Sequence, residues 1–252
     1  MVIRTIHDTD GIEVAGGVER PDHPLLDHDI GHVVGLGEFG ILLAGDLEKV
    51  IQTGDVVIDF TNSEVALRTL EVTSGRGVAA VVGSTGFGPQ QMEKVAQLAR
   101  KTRCVLSPNM SVGVNLMFKV VGEIARILGE DYDVEILETH HRFKKDSPSG
   151  TAMKLGEVAA SALNRDLHQV GVFGRKGVIG ERKSEEIGMH AVRAGDVVGD
   201  HTVIFGGLGE RLEVTHRSHS RDNFARGAVR AAKWVVTQPN GLYDMGDVLG
   251  LK

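Results

Sequence analysis

Apolar residues along this chain follow two rhythms, short unbroken runs and runs that recur every three to four positions, and their alternation predicts the elements. Val2, Ile3 and Ile6 share one helical face and Gly11 follows as a stop, so the chain opens on the tail of a helix. Residues 12–18, 56–60, 78–82 and 105–106 read as buried strands, being short apolar runs bounded by turn residues. Residues 63–75 carry helical spacing with Asn62 or Ser63 as N-cap, and Pro89 opens a helix that runs to Arg100. Residues 32–45 are glycine-rich and poorly periodic, and loops with one short strand are expected there. The alternation of strand and helix over residues 1–106 is that of a doubly wound parallel sheet.

Beyond that point the pattern changes. Val114, Met117, Phe118, Val121, Ile124, Ala125 and Leu128 recur every three to four residues, which predicts a long amphipathic helix crossing from one domain to the other. Residues 134–138, 191–193, 201–205 and 211–216 read as strands, with a helix over 151–163, and this mixture predicts an open sheet in a second domain. A last helix over 223–236 is expected to return to the first domain.

Composition narrows the function classes. With 252 residues, 41% hydrophobic and 25% charged, the chain can bury two unequal cores, and its 33 glycines make it rich in turns. A formal charge of −6 without a long basic run argues against nucleic acid as a partner, because phosphate neutralisation needs clustered Lys and Arg. Cys104 is the only cysteine, which excludes an intramolecular disulfide framework and a cysteine metal cluster and fits a reducing cytoplasm. The longest apolar runs are too short to cross a membrane, and residues 1–11 lack the charged and apolar regions of a secretory signal.

The densest candidate chemistry lies at residues 138–151, between a strand end and a helix start. A histidine there can transfer protons near neutral pH, and a lysine can balance a carboxylate or protonate a developing carbanion. The amides of Ser149, Gly150 and Thr151 open a helix, where unpaired N–H groups and the helix dipole hold an anion. Each of these residues taken singly also reads as a helix cap or a solvated loop residue. Together, cations, histidines and a helix N-terminus describe a pocket for a small dianion. Glu19-Arg20 follows a strand of the nucleotide fold, where an acid accepts from ribose hydroxyls and an arginine meets a 2′-phosphate, although charged residues after a strand are commonplace. Gly83-Ser84-Thr85-Gly86 sits at the carboxyl end of another strand and reads equally as a ligand loop or a simple tight turn.

These residues resemble the dihydrodipicolinate reductase family. Its motif E-x-H-H-x-x-K-x-D-x-P-S-G-T-A stands here from Glu138 to Ala152, and Asp59-Phe60-Thr61, Gly83 to Phe87, Pro108 to Asn115, Arg193-Ala194-Gly195-Asp196 and Leu242-Tyr243-Asp244-Met245 are similar to family segments, so the likeness covers essentially the whole chain. The resemblance implies an α/β protein: a Rossmann-like dinucleotide-binding domain at 1–110 and 222–252, and an α+β substrate-binding and oligomerisation domain at 111–221 whose open mixed sheets associate into a homotetramer. It implies reduction of dihydrodipicolinate with NADH or NADPH on the path to diaminopimelate and lysine, with no metal. His140 would be the proton donor and acceptor and Lys144 a second proton donor. His141, Gly150 and Thr151, with Ser149 and Arg221, would bind the substrate carboxylates. Glu19 and Arg20 would hold the adenosine ribose or its phosphate, and Phe60, Gly83, Ser84, Thr85, Ser107, Pro108, Asn109 and Met110 would lie along the cofactor. The family begins with a strand and a turn G-x-x-G-R-M-G that cradles the pyrophosphate; nothing like it precedes Met1, so roughly twenty residues are expected to be absent through trimming or a misassigned start. Two other readings belong beside this one: a related dehydrogenase acting on aspartate or diaminopimelate, and a ligand-binding or assembly protein that has lost its cofactor site.

Overall fold

The apolar runs of the first unit, Met1–Val112 and the segment from Asp222 onward, become strands, and the periodic stretches become helices. The computed structural model describes residues 1–251; Lys252, the last residue of the expected return segment, lies outside the described residues. In chain order the unit holds α1 (Val2–His7), β1 (Gly17–Val18), α2 (Ile30–Val34), β2 (Leu43–Ala44), β3 (Val56–Asp59), α3 (Ser63–Arg76), β4 (Ala79–Val82), α4 (Pro89–Ala99) and β5 (Arg103–Leu106). Strands β3, β4 and β5 run parallel and adjacent, while β1 and β2 form a separate parallel pair.

Strand β4 is buried at every position because both of its faces are covered. Ala79 and Val81 join one core with Val105, and Ala80 and Val82 join another with Ala66, Leu70 and Val95 of α3 and α4. Helix α3 starts where Asn62 accepts hydrogen bonds from the amides of Glu64 and Val65, and stops at Gly77 in the left-handed conformation, φ 68°.

Two expectations need correction. The strand expected over 12–18 has ladder pairing only at Gly17 and Val18, since β2 offers just two partner residues. Residues 12–16 are instead held by packing and by the Thr53 hydroxyl on the Ala15 carbonyl. The stretch at 32–45 does contain the short strand β2, but its start belongs to α2, which Asp29 caps through the amides of Gly31 and His32. The same carboxylate also accepts from Phe39 and Ile41, and the Phe39 amide above all holds it down at about 2.

The second unit, Gly113–Arg221, takes up helix α5 (Val112–Leu128) from its second residue, then β6 (Asp133–His140), α6 (Gly150–Ala162), α7 (Leu167–Val170), β7 (Gly171–Phe173), β8 (Ile187–Arg193), β9 (Gly199–Gly207) and β10 (Glu210–Ser218). Its five strands are ordered β10-β9-β6-β8-β7; β6 is antiparallel to β9 and parallel to β8, which makes the sheet mixed. Strand alternation turns Val134, Ile136, Glu138 and His140 to the buried face, where Val134 and Ile136 pack with Leu155 and Ala159 of α6. The opposite face of β6 and β8, with Leu137 and Val192, stays open.

The chain then returns to the first unit through α8 (Asp222–Val235), β11 (Gly241–Tyr243) and α9 (Met245–Leu249). Strand β11 adds to β5 in parallel and completes a four-stranded sheet in the order β11-β5-β4-β3. The short elements α7, β7, β11 and α9 carry too few residues to show a period, and the sequence pattern did not predict them. A Rossmann-like parallel sheet with helices, joined in one chain to a second domain with a mixed sheet, is the α/β class expected above.

Candidate active site

In the second unit the chemistry gathers around one buried carboxylate. Glu138 and His140 lie two residues apart on β6, so both point inward at its carboxyl end. The Glu138 side chain is fully buried and accepts four hydrogen bonds: from His140 Nδ1 at 2.5 Å, from Arg193 Nη1 and Nη2 at 2.8 and 2.9 Å, and from the Ser149 amide at 3.0 Å. Burial pushes its carboxyl upward, but the Arg193 guanidinium, with His140 and the Ser149 amide, outweighs that and holds it below the usual carboxylate range. Arg193 reaches Glu138 because β8 pairs in parallel with β6, setting Glu138 against Ala191 and His140 against Arg193.

His201 of β9 stands against Ser149 and His140. Its Nε2 is 3.1 Å from the Ser149 hydroxyl, and its ring meets the His140 ring edge-on at 5.1 Å between centroids. Burial above all, then the charge of His140, depresses His201 to about 4, and Lys144 adds to that depression, so His140 and Lys144 both bear on the same buried ring. The Ser149 hydroxyl also accepts from the Ala152 amide and so caps the thirteen-residue helix α6.

The loop between β6 and α6 carries the remaining cations. Arg193 donates to the Asp146 carbonyl at 2.7 Å, the Arg142 amide donates to the Gly195 carbonyl, and Lys144 Nζ donates to the Asp146 carboxylate at 2.9 Å. His141 has a buried Nδ1 with no hydrogen-bond partner among the described residues. Gly150 is exposed and Thr151 half-buried at the open end of α6. Ser149, by contrast, is buried with its hydroxyl engaged. Arg221 is exposed in the turn before α8 and forms no ion pair among the described residues.

In the first unit the expected cofactor residues all follow carboxyl ends of parallel strands, the edge where ligands lie in open α/β sheets. Glu19 and Arg20 follow β1 and are exposed; the Glu19 carboxylate accepts from the Arg20 amide, and Arg20 pairs with Asp22. Phe60 follows β3, residues 83–85 follow β4 and residues 107–110 follow β5. These loops are braced from below. Asp59, buried at the end of β3, accepts from the hydroxyls of Thr61, Thr69 and Ser84 at 2.6, 2.7 and 3.0 Å. The Phe60 ring lies so close over Gly83 that a Cβ there would come within 2.3 Å of it. Ser107 donates to the Asn109 carbonyl, the Asn109 side chain accepts from the Ser111 amide, and Met110 is buried beneath α8. An edge with exposed Phe60, Thr85 and Pro108 and an acid beside an arginine fits the nicotinamide and adenosine ribose ends of a dinucleotide.

Comparison with known proteins decides the family. The family described as dihydrodipicolinate reductase, N-terminus, matches residues 1–110, and dihydrodipicolinate reductase, C-terminus, matches residues 113–249. The chain belongs to the dihydrodipicolinate reductase family. Among curated relatives, the 4-hydroxy-tetrahydrodipicolinate reductases of Citrifermentans bemidjiense and Syntrophus aciditrophicus are each 55% identical over 251 residues, covering 100% of this chain and 94% of theirs. A dipicolinate-bound dihydrodipicolinate reductase from Paenisporosarcina sp. TG-14 superposes with a TM-score of 0.74 at 25% identity, covering 96% of this chain and 91% of that one. A probable dehydrogenase from Thermotoga maritima, at 9% identity and a TM-score of 0.59, shares the fold.

For this dihydrodipicolinate reductase family member, the structure gathers His140, His141, Lys144, Ser149, Gly150 and Thr151 in one unit and the loops at 60, 83–85 and 107–110 in the other. Sequence reasoning gave no role to Glu138, Arg193, His201 or Asp59. A signal existed for His201, which shares the inner face of its strand with Val203 and Phe205, where a polar residue is out of pattern.

Proposed function

We propose that this protein reduces 4-hydroxy-tetrahydrodipicolinate (dihydrodipicolinate) to tetrahydrodipicolinate in diaminopimelate and lysine biosynthesis, as a cytoplasmic NAD(P)H-dependent enzyme. What supports the reading is that Glu138 ties His140 to the Ser149 amide at the start of α6, in the same unit as His141 and Lys144, a donor set suited to a small dicarboxylate. In this reading the amides of Gly150 and Thr151, with His141, bind the substrate carboxylates, and Arg221 is a further carboxylate ligand. Ser149 contributes by capping α6. His140 and Lys144 supply the proton that quenches the carbanion formed next to the carbon being reduced. Lys144, held by Asp146 in the free protein, turns to the dianion when it binds.

Glu19 and Arg20 hold the adenosine ribose or its 2′-phosphate, and Phe60, Gly83, Ser84, Thr85, Ser107, Pro108, Asn109 and Met110 line the nicotinamide side. A reduced nicotinamide bound there supplies the hydride. An acid and an arginine side by side suit both cofactors, so we assign dual use of NADH and NADPH. The open face of the mixed sheet, with Leu137 and Val192 exposed, is assigned to assembly into a homotetramer.

The test is steady-state reduction of dihydrodipicolinate by the wild type and by Lys144→Ala. Loss of a general acid should lower kcat by about 10²–10⁴-fold while cofactor affinity, measured by fluorescence titration, stays within about twofold. A Lys144→Ala enzyme with near-normal kcat removes lysine from the mechanism. Reduction of NAD+ or NADP+ with aspartate or diaminopimelate, without oxidation of NADH or NADPH by dihydrodipicolinate, would overturn the substrate assignment.

A further inference from the structure

We propose that Glu138 is a positioning residue that locks the His140 ring and the first turn of α6 to one carboxylate, so that the proton-transfer atom and the anion-binding amides are set by the same group. The proposal rests on the reading of His140 as the proton-transfer residue. Its geometric basis is separate from that reading: one carboxylate with no solvent exposure takes donors from the histidine ring, the helix start and a guanidinium on the neighbouring strand.

An ionised carboxylate only accepts, so His140 must present Nδ1–H to Glu138, and the ring's reactive atom is then Nε2. That atom sits beside Gly199, where a Cβ would come within 2.9 Å, so the strand is stripped of side chain at the position His140 faces. A carboxylate on Nδ1 also stabilises the ring while Nε2 carries a proton. Arg193 cancels the charge of Glu138, which would otherwise oppose a dianion, and through the Asp146 carbonyl it fixes the loop that bears Lys144. The charged and titratable groups around the His140 ring are Glu138 on its own strand, Arg193 on β8, His201 on β9 and Lys144 and Asp146 on the loop, with His216 of β10 acting on His201. Among the described residues, only Glu138 touches Nδ1. Replacing it with Gln puts an amide NH₂ where a donor already points: at one oxygen it faces His140 and Arg193, at the other the Ser149 amide and Arg193.

Three measurements on the full chain test this. In the wild type labelled with ¹⁵N-histidine, with His140→Gln used to assign the signal, neutral His140 should be the Nδ1–H tautomer. A spectrum showing the Nε2–H tautomer overturns the proposal whether or not any variant folds. In Glu138→Gln the tautomer should switch, kcat should fall by about 10²–10⁴-fold, and the pH profile of kcat should move, while NADH titration stays near normal because the cofactor residues lie in the other unit. A folded Glu138→Gln enzyme with an unchanged pH profile and tautomer sinks the proposal. Glu138→Asp, which keeps the charge, should recover part of kcat and the wild-type profile. If His140→Gln itself keeps full turnover while Glu138→Gln still switches the tautomer, positioning stands and the catalytic reading of His140 fails.

Discussion

At the scale of single residues, His201 illustrates what a buried polar group costs and how that cost is measured. Its folded value of about 4 lies below the unfolded 6.5, because burial and the neighbouring charge of His140 disfavour its protonated form. Between those two values the unfolded chain binds a proton that the folded protein refuses, so acidification favours unfolding. The sign is therefore fixed: this contribution is nil above pH 6.5, grows unfavourable as pH falls from 6.5 to about 4, and then levels off. A shift of this size corresponds to about 3 kcal/mol at pH 4. Urea unfolding of the wild type and of His201→Gln, at pH 7 and pH 4.5, should show a smaller loss on acidification in the variant; equal losses would mean that another group carries the acid sensitivity. Residues such as this are the ones that sequence reading misses. Glu138 to Ala152 is legible because its members are contiguous, whereas Arg193 and His201 come from two other strands and meet Glu138 and Ser149 only through the registers of β8 and β9 against β6.

At the scale of elements, helix periodicity was legible and close packing was not. Helices α3, α4, α5, α6 and α8 follow from apolar spacing because each buries a stripe against a sheet, and their observed bounds fall within two residues of those expected. Periodicity says nothing of which backbone an element touches. Gly227 in α8 looks like a replaceable helix residue, yet a Cβ there would stand 1.7 Å from the Met110 carbonyl oxygen, a backbone atom with little freedom to withdraw. Gly227→Ala must push α8 off the segment at 107–110, costing about 1–3 kcal/mol by overpacking despite the better helix propensity of alanine. Because that segment is assigned to the nicotinamide side, cofactor affinity should fall with stability. Gly75 in α3 is the matched control: its Cβ would meet no described residue within 4 Å. Gly75→Ala should therefore leave stability unchanged or raise it by up to about 1 kcal/mol. Thermal unfolding and NADH titration of the two variants check the contrast, and similar behaviour in both would show that α8 has slack against Met110.

For the whole molecule, the assembly assigned above depends on whether the open sheet face can be covered without stranding charge. Glu135 is the central acid on that face, and it is already satisfied inside the subunit. Arg175 donates to both of its oxygens at 2.8 Å, Arg182 donates at 3.0 Å and His190 Nε2 lies 2.6 Å away. Burial opposes ionisation, but these partners, Arg175 foremost, hold Glu135 at about 2. The same contacts tie the segment at 174–186, which joins β7 to β8, back onto the sheet. A surface whose charges are paired internally can be desolvated by a copy of itself more cheaply than one with free charges. It then offers a second copy an apolar patch, Leu137 and Val192, 37% and 45% exposed, next to Thr139 and Thr202 across the strands and bordered by the Asp200–Arg217 pair. Val192→Asp places an unpaired carboxylate in that patch, at a cost of several kcal/mol for each copy if the face is buried. It should convert a tetramer into a smaller species in analytical ultracentrifugation while the circular dichroism spectrum stays that of the wild type. A Val192→Asp protein that keeps the wild-type sedimentation coefficient would show that this face is not where the subunits meet.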